Sequence, residues 1–331
     1  MVELLIKLFD AQSVSGGEKP VADVIEAEIK PFADEIRRDA MGNLIALRKS
    51  NGKSPNPRKI MFAAHADEIG FLVTFIDDKG FIRIAPIGGI SWISCAFSVV
   101  KFENGVMGVL VPDSDAKTSE YDADKFYIDI GCSDRAGAEK LVQIGMRAAV
   151  APQLHELANG RIAGRPLDDK IGCAVLVEVM RRLKNNADDV YFAFTVQEEV
   201  GCRGARTSAF GVMPDIAFAC DVTGTGDVPG SKPMAVKVGG GAAIKIKDAS
   251  VICAPELVAE LTELAKSNNI PHQLEILQYG GTDTSQMQLS GSGAIAGALS
   301  VPTRYVHSSV ELCDLADVEA CVALFVKYLE K

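Results

Sequence analysis

The fold of this chain is most visible in residues 190–201, which read VYFAFTVQEEVG. The apolar run Val190–Phe194 is typical of a buried strand, and two adjacent carboxylates, Glu198 and Glu199, follow shortly after it. Carboxylates at the mouth of a buried strand are costly to desolvate, so a metal ion or a reaction is the usual reason for them. Neighbouring side chains on an extended backbone point to opposite sides, so one carboxylate could bind a cation while the other faces a substrate. A solvated turn is the alternative, and it is the commoner role of such a pair taken alone.

The composition excludes several classes of protein. The 331 residues suffice for two domains, or for one large domain with a full core. The net charge of −10 argues against binding to nucleic acid or to anionic membranes, because both need basic patches. The eight cysteines show no C-x-x-C spacing, which favours buried thiols in a reducing compartment. Charges interrupt the apolar residues of Met1–Gln12, unlike a signal peptide, and no later run could span a membrane. We therefore expect a cytoplasmic protein.

The chain divides into three segments by texture. Residues 1–67 and 163–331 alternate helical patterns with apolar strands, which is typical of an α/β sheet. Residues 68–162 instead hold short strands at close spacing, such as Phe97–Phe102 and Val106–Val111 around an Asn-Gly turn. We predict one α/β unit from the first and third segments, with a small β-rich domain inserted in it. The clearest predicted elements are helices at Lys19–Ile29, Ile171–Leu183 and Asp314–Leu329, and strands at Lys59–Ala64, Asp215–Asp221 and Ser300–His307.

Potential metal ligands follow strands, or stand where a loop meets a helix, in five separate segments. These segments are His65–Glu68, Leu167–Lys170, Glu198–Glu199, Cys220–Asp221 and Tyr305–His307. Four of them lie at the carboxyl ends of predicted strands, where open α/β sheets place their ligand sites. Imidazole and carboxylate ligands suit zinc and similar ions, and two neighbouring ions need about five such residues with one carboxylate shared. The sequence therefore predicts a site for two metal ions.

Each of these residues also has a structural interpretation. His65 could be a buried histidine at a strand end, although Asp67 two residues later could orient it as a ligand. Asp168 and Asp169 could cap the next helix, Asp221 could stand in a turn, and His307 could lie on the surface. The Gly280–Asp283 run is predicted to be a tight turn into a helix that could also line a pocket. We favour the site, because the structural interpretations would all have to coincide at one sheet edge.

Six motifs spread over most of the chain resemble one known family. They are AHADEIG (64–70), LDDK (167–170), QEEVG (197–201), DVT (221–223), GGTD (280–283) and PTRYVHS (302–308). The chain resembles the TET-type, or tetrahedral, dinuclear metallo-aminopeptidases, which include glutamyl and leucyl aminopeptidases and proteins labelled cellulase M or endoglucanase. The resemblance implies a zinc-peptidase-like catalytic domain with a mixed sheet, interrupted by a PDZ-like β-rich dimerisation domain.

The resemblance also implies a role for each candidate residue. Asp168 would bridge two divalent ions, which could be Zn²⁺, Co²⁺ or Mn²⁺. His65 and Asp221 would complete one metal site, and Glu199 and His307 would complete the other. Glu198 would be the general base, and Asp67 would steer His65.

The chain departs from the family pattern at three places. Lys170 replaces the usual arginine after the aspartate pair, and Pro166 replaces the alanine before Leu167. In the inserted domain, the stretch Val111–Asp115 replaces the family's Pro-Pro-His. The first two departures lie near the bridging aspartate, and the third concerns the contacts for assembly. We expect self-association to a dimer at least, and further to a tetrahedral dodecamer.

The predicted activity is the removal of N-terminal residues from short peptides with a free N-terminus. Three alternatives remain: a glycoside hydrolase of endoglucanase type, a dinuclear deacylase or carboxypeptidase, and a catalytically silent assembly protein. Thr282, Asp283 and Arg304 are candidate substrate-binding residues. A preference for acidic residues would need a cation in the pocket, for which Arg203, Arg304 and Lys170 are the candidates. The sequence leaves the preferred N-terminal residue and the metal open.

Overall fold

The computed structural model describes residues 1–52 and 54–331. The strands, in chain order, are β1 (Glu35–Arg38), β2 (Leu44–Arg48), β3 (Lys59–His65), β4 (Gly70–Ile76), β5 (Ile82–Ile87), β6 (Val99–Phe102), β7 (Met107–Pro112), β8 (Phe126–Asp129), β9 (Arg147–Val150), β10 (Gln153–Glu156), β11 (Arg161–Arg165), β12 (Asp189–Thr195), β13 (Ile216–Thr223), β14 (Ala242–Lys247), β15 (His272–Ile276), β16 (Ile295–Arg304) and β17 (Glu311–Asp314). The α-helices are α1 (Val2–Asp10), α2 (Lys19–Ile29), α3 (Trp92–Cys95), α4 (Arg135–Glu139), α5 (Lys170–Arg182), α6 (Arg203–Val212), α7 (Pro255–Ser267), α8 (Thr284–Gln288) and α9 (Leu315–Leu329).

Eleven strands form one mixed sheet in the order β1-β2-β12-β3-β13-β16-β17-β11-β10, with β14 joined to β16 and β15 joined to β14. The central strands β12, β3, β13 and β16 run parallel to one another. Along β3, Phe62 and Ala64 pack into one buried cluster while Met61 and Ala63 pack into another. Both faces of the sheet are therefore covered, which explains why its central strands are apolar at nearly every position. The predicted α/β fold with a mixed sheet is confirmed.

Helices cover the two faces of this sheet unequally. On one face, α5 packs against α1, α2 and α9, and ten of its 13 residues are buried. Phe62 of β3 lies at the centre of this layer, with its ring centroid 5.3 Å from that of Phe218 and 4.8 Å from that of Phe325. On the other face, α6 and α8 pack against each other over the central strands. The central strands are thus held in a rigid frame, so the residues that follow them have defined positions.

The inserted segment is a closed barrel of six strands in the order β4-β5-β8-β7-β6-β9. It has its own core, in which Phe71, Phe102 and Phe126 are completely buried. The predicted small β-rich insertion is therefore a β-barrel, whereas its PDZ-like character stays a prediction. The barrel ends at β9, and β10 already pairs in the large sheet, so the chain returns to that sheet before the predicted residue 163. The division of the chain into separate domains stays a prediction.

Several elements differ from the sequence prediction. Strand β16 begins at Ile295 and ends at Arg304, so the predicted strand Ser300–His307 is wrong at both ends. Tyr305 and His307 both have a φ of 63°, and a strand cannot continue through that conformation. Helix α6 was not predicted, because its buried face is made mostly of small residues with little hydrophobic signal. Seven of the eight cysteines are buried as expected, and Cys132 is half-buried.

Within the described residues, none of the helices has both the length and the apolar character that crossing a membrane requires.

Candidate active site

Parallel strands bring most of the candidate ligands to one edge of the sheet. His65 is the last residue of β3, Glu198 and Glu199 follow β12, and Asp221 lies near the end of β13. His307 stands three residues after β16, and Asp168 lies between β11 and α5. Because β12, β3, β13 and β16 are parallel neighbours, their carboxyl ends meet at this edge. The structure therefore brings together the residues that the sequence singled out in five separate segments.

Asp168 occupies the centre of the cluster. Its Oδ1 lies 3.1 Å from His65 Nε2, and its Oδ2 lies 3.3 Å from His307 Nε2. The cluster has two halves around this carboxylate. In one half, His65 Nε2 lies 3.8 Å from Asp221 Oδ1, and in the other half His307 Nε2 lies 3.3 Å from Glu199 Oε2. One carboxylate thus faces two imidazoles, each of which has a second carboxylate beside it.

These donors fit divalent metal ions. Single ligand atoms of His65, Asp168 and Glu199 lie within 4.8 Å of one another, and so do those of His65, Asp169 and Asp221. Glu199 Oε1 is buried without a hydrogen-bond partner among the described residues, which is costly for a carboxylate unless a cation is nearby. Imidazole nitrogens with carboxylate oxygens are a donor set that zinc and similar ions accept. The cluster therefore meets the chemical requirements of a metal centre.

Electrostatics in the site reflect many buried carboxylates around few cations. Burial raises the pKa of Glu198 well above its usual range, and the charge of Asp221 adds to the effect while His65 opposes it. Burial and the charge of Asp168 likewise raise the pKa of Glu199. Burial lowers the pKa of His307, but the carboxylates of Asp168 and Glu199 outweigh it and raise that pKa to about 11. Positive charge is what this cluster lacks, and bound cations would supply it.

Asp67 connects the first imidazole to the glutamate pair. Its carboxylate accepts hydrogen bonds from the backbone N–H groups of Glu198, at 2.9 Å, and of Glu199, at 3.2 Å. Its Oδ1 also lies 3.5 Å from His65 Nδ1, and the Ser15 hydroxyl donates to its Oδ2 at 2.6 Å. The side chain is completely buried. Asp67 therefore links the orientation of His65 to the backbone position of both glutamates.

The two aspartates at the start of α5 have different roles. Asp168 faces the imidazoles, whereas Asp169 caps the helix by accepting from Gly172 N at 2.9 Å. Asp169 Oδ2 also accepts from His65 N at 3.2 Å. Lys170, at the position where the family has arginine, is completely buried and donates to the carbonyl of Ala66 at 2.5 Å and to the Ser13 hydroxyl. It holds the backbone beside His65 and does not face the cavity described below.

Two further carboxylates that organise the site, Glu311 and Glu18, were not predicted from the sequence. Glu311 accepts from Leu167 N at 2.7 Å and Asp168 N at 3.0 Å through one oxygen, and from His307 N at 3.1 Å through the other. Glu18 Oε1 accepts from Gly16 N at 2.6 Å and from Gln197 N at 3.1 Å. In the chain, Glu311 is 143 positions from Asp168 and Glu18 is 179 positions from Gln197, so no local motif reveals these contacts.

A cavity of about 480 Å³ opens beside the cluster. The ligand residues and Glu198 form one side of it, and residues 222–224, 277 and 279–281 contribute to the rest. Thr282 and Asp283 are buried behind this wall, and Asp283 accepts a hydrogen bond from the Thr195 hydroxyl. A larger cavity of about 820 Å³, near Gly17 and Met41, is lined by none of the candidate ligands. We place the site in the smaller cavity, because it alone of the two contains the clustered ligands.

The cationic side chains proposed for the substrate pocket have other partners. Arg304 forms an ion pair with Asp227, with Nη2 2.5 Å from Oδ2. Arg203 is exposed and donates to the side chain of Gln197 at 3.2 Å. Neither residue is among the described residues that line the cavity.

Comparison with known proteins identifies the family. A family model described as M42 glutamyl aminopeptidase matches residues 42–324. The chain belongs to this family. The resemblance to TET-type aminopeptidases, on which the sequence interpretation rested, is thereby confirmed.

Individual relatives of this M42 chain cover it almost completely. A candidate aminopeptidase of Acetivibrio thermocellus is 48% identical over 99% of this chain and 98% of its own length. The lysyl aminopeptidase of Pyrococcus furiosus is 34% identical over 99% of this chain and 96% of its own length. The family and these relatives support a peptide hydrolase of the aminopeptidase class.

Solved structures match this M42 chain over all or nearly all of its length. An aminopeptidase from the archaeon Desulfurococcus kamchatkensis matches with a TM-score of 0.95 and 36% identity, covering 100% of this chain and 94% of that one. The TET1 peptidase of Pyrococcus horikoshii, which can assemble into a tetrahedron or a large octahedral shell, matches with a TM-score of 0.86 and 33% identity over 100% and 99% of the two chains. A Thermotoga maritima protein titled endoglucanase matches with a TM-score of 0.83 and 31% identity over 98% and 96%.

Proposed function

We propose that this protein is a cytoplasmic metallo-aminopeptidase that removes N-terminal residues from short peptides at a dinuclear metal centre. The observation that carries the proposal is the position of Asp168, whose two oxygens each face one imidazole. A carboxylate shared in this way suits two metal ions a few ångström apart. Membership of the M42 family supports the peptidase reaction.

The proposed ligand assignment follows the two halves of the cluster. Asp168 would be shared, His65 and Asp221 would hold one ion, and Glu199 and His307 would hold the other. Zn²⁺, Co²⁺ and Mn²⁺ all accept this mixture of imidazole and carboxylate. When bound, the ions would supply Lewis acidity, which polarises a scissile carbonyl and makes water more acidic.

Glu198 is the proposed general base. Its Oε2 lies 3.9 Å from His65 Nε2, so the carboxylate stands beside the ligands without replacing one of them. Glu198 would take a proton from the attacking water and deliver it to the leaving amine as the peptide C–N bond breaks. Asp67 would fix the position of this carboxylate relative to His65 through its hydrogen bonds to the backbone of Glu198 and Glu199.

The substrate would lie in the cavity beside the cluster. Thr282 and Asp283 directly follow Gly280 and Gly281, which line the cavity, so we propose that they shape its wall from behind. Arg304 would act on the wall only indirectly, because its guanidinium is paired with Asp227.

The alternative functions explain fewer of the contacts. A glycoside hydrolase needs two carboxyl groups across a sugar bond and has no use for two imidazoles on a shared carboxylate. A deacylase or carboxypeptidase could use the same centre, but the Acetivibrio thermocellus and Pyrococcus furiosus relatives are both named as aminopeptidases. A silent assembly protein would have no reason to keep Glu198 among so many buried carboxylates, because their desolvation is costly.

Activity on matched peptides tests the proposal. The protein, loaded with each metal in turn after chelation, is given one short peptide with a free N-terminus and the same peptide N-acetylated. We expect release of the first residue from the free peptide only. Release of an acyl group or of the C-terminal residue would instead identify a deacylase or a carboxypeptidase, and soluble cellulose cleavage would identify a glycosidase.

We also propose that the protein associates with itself, through a dimer and onward to a tetrahedral dodecamer. The assembly of the TET1 peptidase of Pyrococcus horikoshii into closed shells supports this step. A closed shell would admit short peptides and exclude folded proteins. Digestion of an unfolded peptide but not of a folded protein of the same sequence would support the enclosed site.

A further inference from the structure

We infer that the cavity beside the metal ligands selects peptides whose N-terminal side chain is uncharged and apolar, in preference to acidic or basic ones. This inference rests on the proposed aminopeptidase function and names its substrate class. It differs from what the names of the family and of the Pyrococcus furiosus relative suggest, since those proteins are called glutamyl and lysyl aminopeptidases.

The wall of the cavity carries no charge outside the catalytic cluster. Apart from Cys202 and the ligand and base residues, its described lining consists of glycines with Val222, Thr223, Leu277, Tyr279 and Val306. The Thr223 hydroxyl is already used, because it donates to Glu275 Oε1 at 2.9 Å behind the wall. A substrate side chain would therefore meet aliphatic and aromatic surface and few free polar groups.

Two of the cations behind and beside the wall are paired with carboxylates, whereas the buried Asp283 accepts from the Thr195 hydroxyl and has one oxygen without a hydrogen-bond partner among the described residues. Lys245 is completely buried and forms an ion pair with Glu275. Arg304 is paired with Asp227 at the other side. An exposed cation, Lys232, lies with its Nζ 5.5 Å from the centre of the Tyr279 ring. This ammonium rests on the ring face and stays hydrated, so it offers little to a side chain inside the cavity.

The metal cluster itself favours neither sign of charge. The four carboxylates that line the cavity, those of Asp168, Glu198, Glu199 and Asp221, would balance the charge of two divalent ions. An acidic or basic side chain would then lose its hydration in the cavity without gaining a partner, whereas an apolar side chain would gain from leaving water. We expect kcat/KM for leucyl substrates to exceed that for glutamyl and lysyl substrates by about 100-fold or more.

A panel of aminoacyl p-nitroanilides tests this preference on the metal-loaded protein. The leucyl and methionyl substrates should be cleaved with the highest kcat/KM, and the glutamyl and lysyl substrates with the lowest. A glutamyl or lysyl substrate that matched the leucyl one would overturn the inference while leaving the aminopeptidase function intact. Absence of turnover on the whole panel, by protein shown to hold metal, would overturn the proposed function and the inference with it.

Three variants test whether the wall sets the preference. Leu277→Arg places a cation on the wall, so the glutamyl-to-leucyl ratio of kcat/KM should rise at least about tenfold. Leu274→Arg is the matched control, because this leucine is 44% exposed on β15 and is not among the lining residues. It should leave the ratio unchanged. Lys232→Met should also leave the glutamyl-to-leucyl ratio of kcat/KM unchanged. A selective loss of glutamyl turnover in that variant would show that Lys232 binds acidic side chains, which would contradict the inference.

Discussion

At the scale of single residues, a few carboxylates in the site each contact several other groups. Asp168 faces both imidazoles, and Asp67 accepts from the backbone of both glutamates. Such shared residues make the two halves of the cluster interdependent, because removing one group changes the surroundings of several others. Substitutions of Asp168 or Asp67 should therefore affect both halves of the cluster, whereas substitutions of the other residues should affect mainly one half.

Replacing the shared carboxylate should affect both metal sites together. In Asp168→Ala we expect metal content to fall from two ions per chain to below one, with activity reduced by more than about 100-fold. His65→Ala should weaken mainly one site, because His65 faces only one half of the cluster. Elemental analysis of both variants checks this, with Asp10→Asn on the surface as control. Retention of two ions by Asp168→Ala would contradict the bridging role.

The adjacent glutamates should separate in their effects. Glu198→Gln keeps the shape of the side chain but removes the proton acceptor, so metal content should stay and turnover should fall by about 10²- to 10⁴-fold. Glu199→Gln should lose metal first, because its carboxylate faces His307 within the ligand set. The two variants serve as controls for each other, since they differ by one position in the chain. Parental turnover by Glu198→Gln would show that another group is the base.

Residue chemistry explains which parts of the site were predictable. The five segments that hold His65, Asp168, Glu199, Asp221 and His307 were predictable because each places a ligand type after a strand or before a helix, whereas the choice of these residues within the segments came from the family resemblance. For the aspartate pair, the metal and capping interpretations were alternatives, and the structure places Asp168 against the imidazoles and Asp169 at the cap. Glu311 was not predictable, because its partners are backbone N–H groups that only the tertiary fold brings near.

At the scale of secondary-structure elements, the turn after β12 depends on the N-terminal segment. Gln197 has a φ of 56°, which a residue other than glycine adopts only when its surroundings hold it there. Glu18, at the start of α2, accepts from the N–H of this residue and from that of Gly16. Glu18 is buried, so it has little freedom to leave this position. We regard it as a positioning residue for the glutamate pair.

Removing the Glu18 carboxylate should therefore disturb catalysis without removing the ligands. In Glu18→Ala we expect kcat to fall about tenfold or more with little change in KM, and the free energy of unfolding to fall by about 1–3 kcal/mol. Glu18→Gln keeps an acceptor oxygen and should restore most of kcat. A purely structural role would lower stability in the alanine variant while leaving the kcat of the folded fraction unchanged, and that outcome would contradict positioning.

Predictability of the elements follows from how strongly each one buries apolar side chains. Strands β3, β12 and β13 were found because both of their faces are buried, which produces unbroken apolar runs. Strand β1, by contrast, was not predicted, because it is a partly exposed edge strand of only four residues. Strand β11 pairs with β10 and with β17, and its pairing with β17 joins segments that lie far apart in the chain. No local pattern indicates such pairings.

At the scale of the whole molecule, the barrel exposes more apolar surface than its own fold requires. Exposed large apolar side chains on this segment include Phe75, Ile93, Phe97, Ile144 and Met107. A second exposed group, Phe210 and Leu289, lies on the helical face of the sheet near α6 and α8. Apolar groups of this kind on a soluble protein commonly mark contacts with another chain. The first of these groups lies on the barrel, as expected from the dimerisation role that the family resemblance implies for this segment.

The barrel contact can be tested with two isoleucines of equal exposure. Ile93 lies in the barrel segment, and Ile252 lies in the part of the chain between β14 and β15. Both residues are 67% exposed. We expect light scattering of the parent protein at micromolar concentration to give at least twice the chain mass of 35.2 kDa. Ile93→Lys should shift the protein toward the monomer, because an ammonium would be desolvated in an apolar interface. Ile252→Lys should leave the dimer intact.

The opposite pattern would be equally informative. Dissociation by Ile252→Lys but not by Ile93→Lys would move the dimer contact from the barrel to the large sheet. A monomeric mass for the parent protein with full peptidase activity would contradict self-association altogether. If dissociated Ile93→Lys cleaves short peptides and also removes N-terminal residues from a folded protein that the parent protein leaves intact, assembly restricts access to a site that each chain forms by itself.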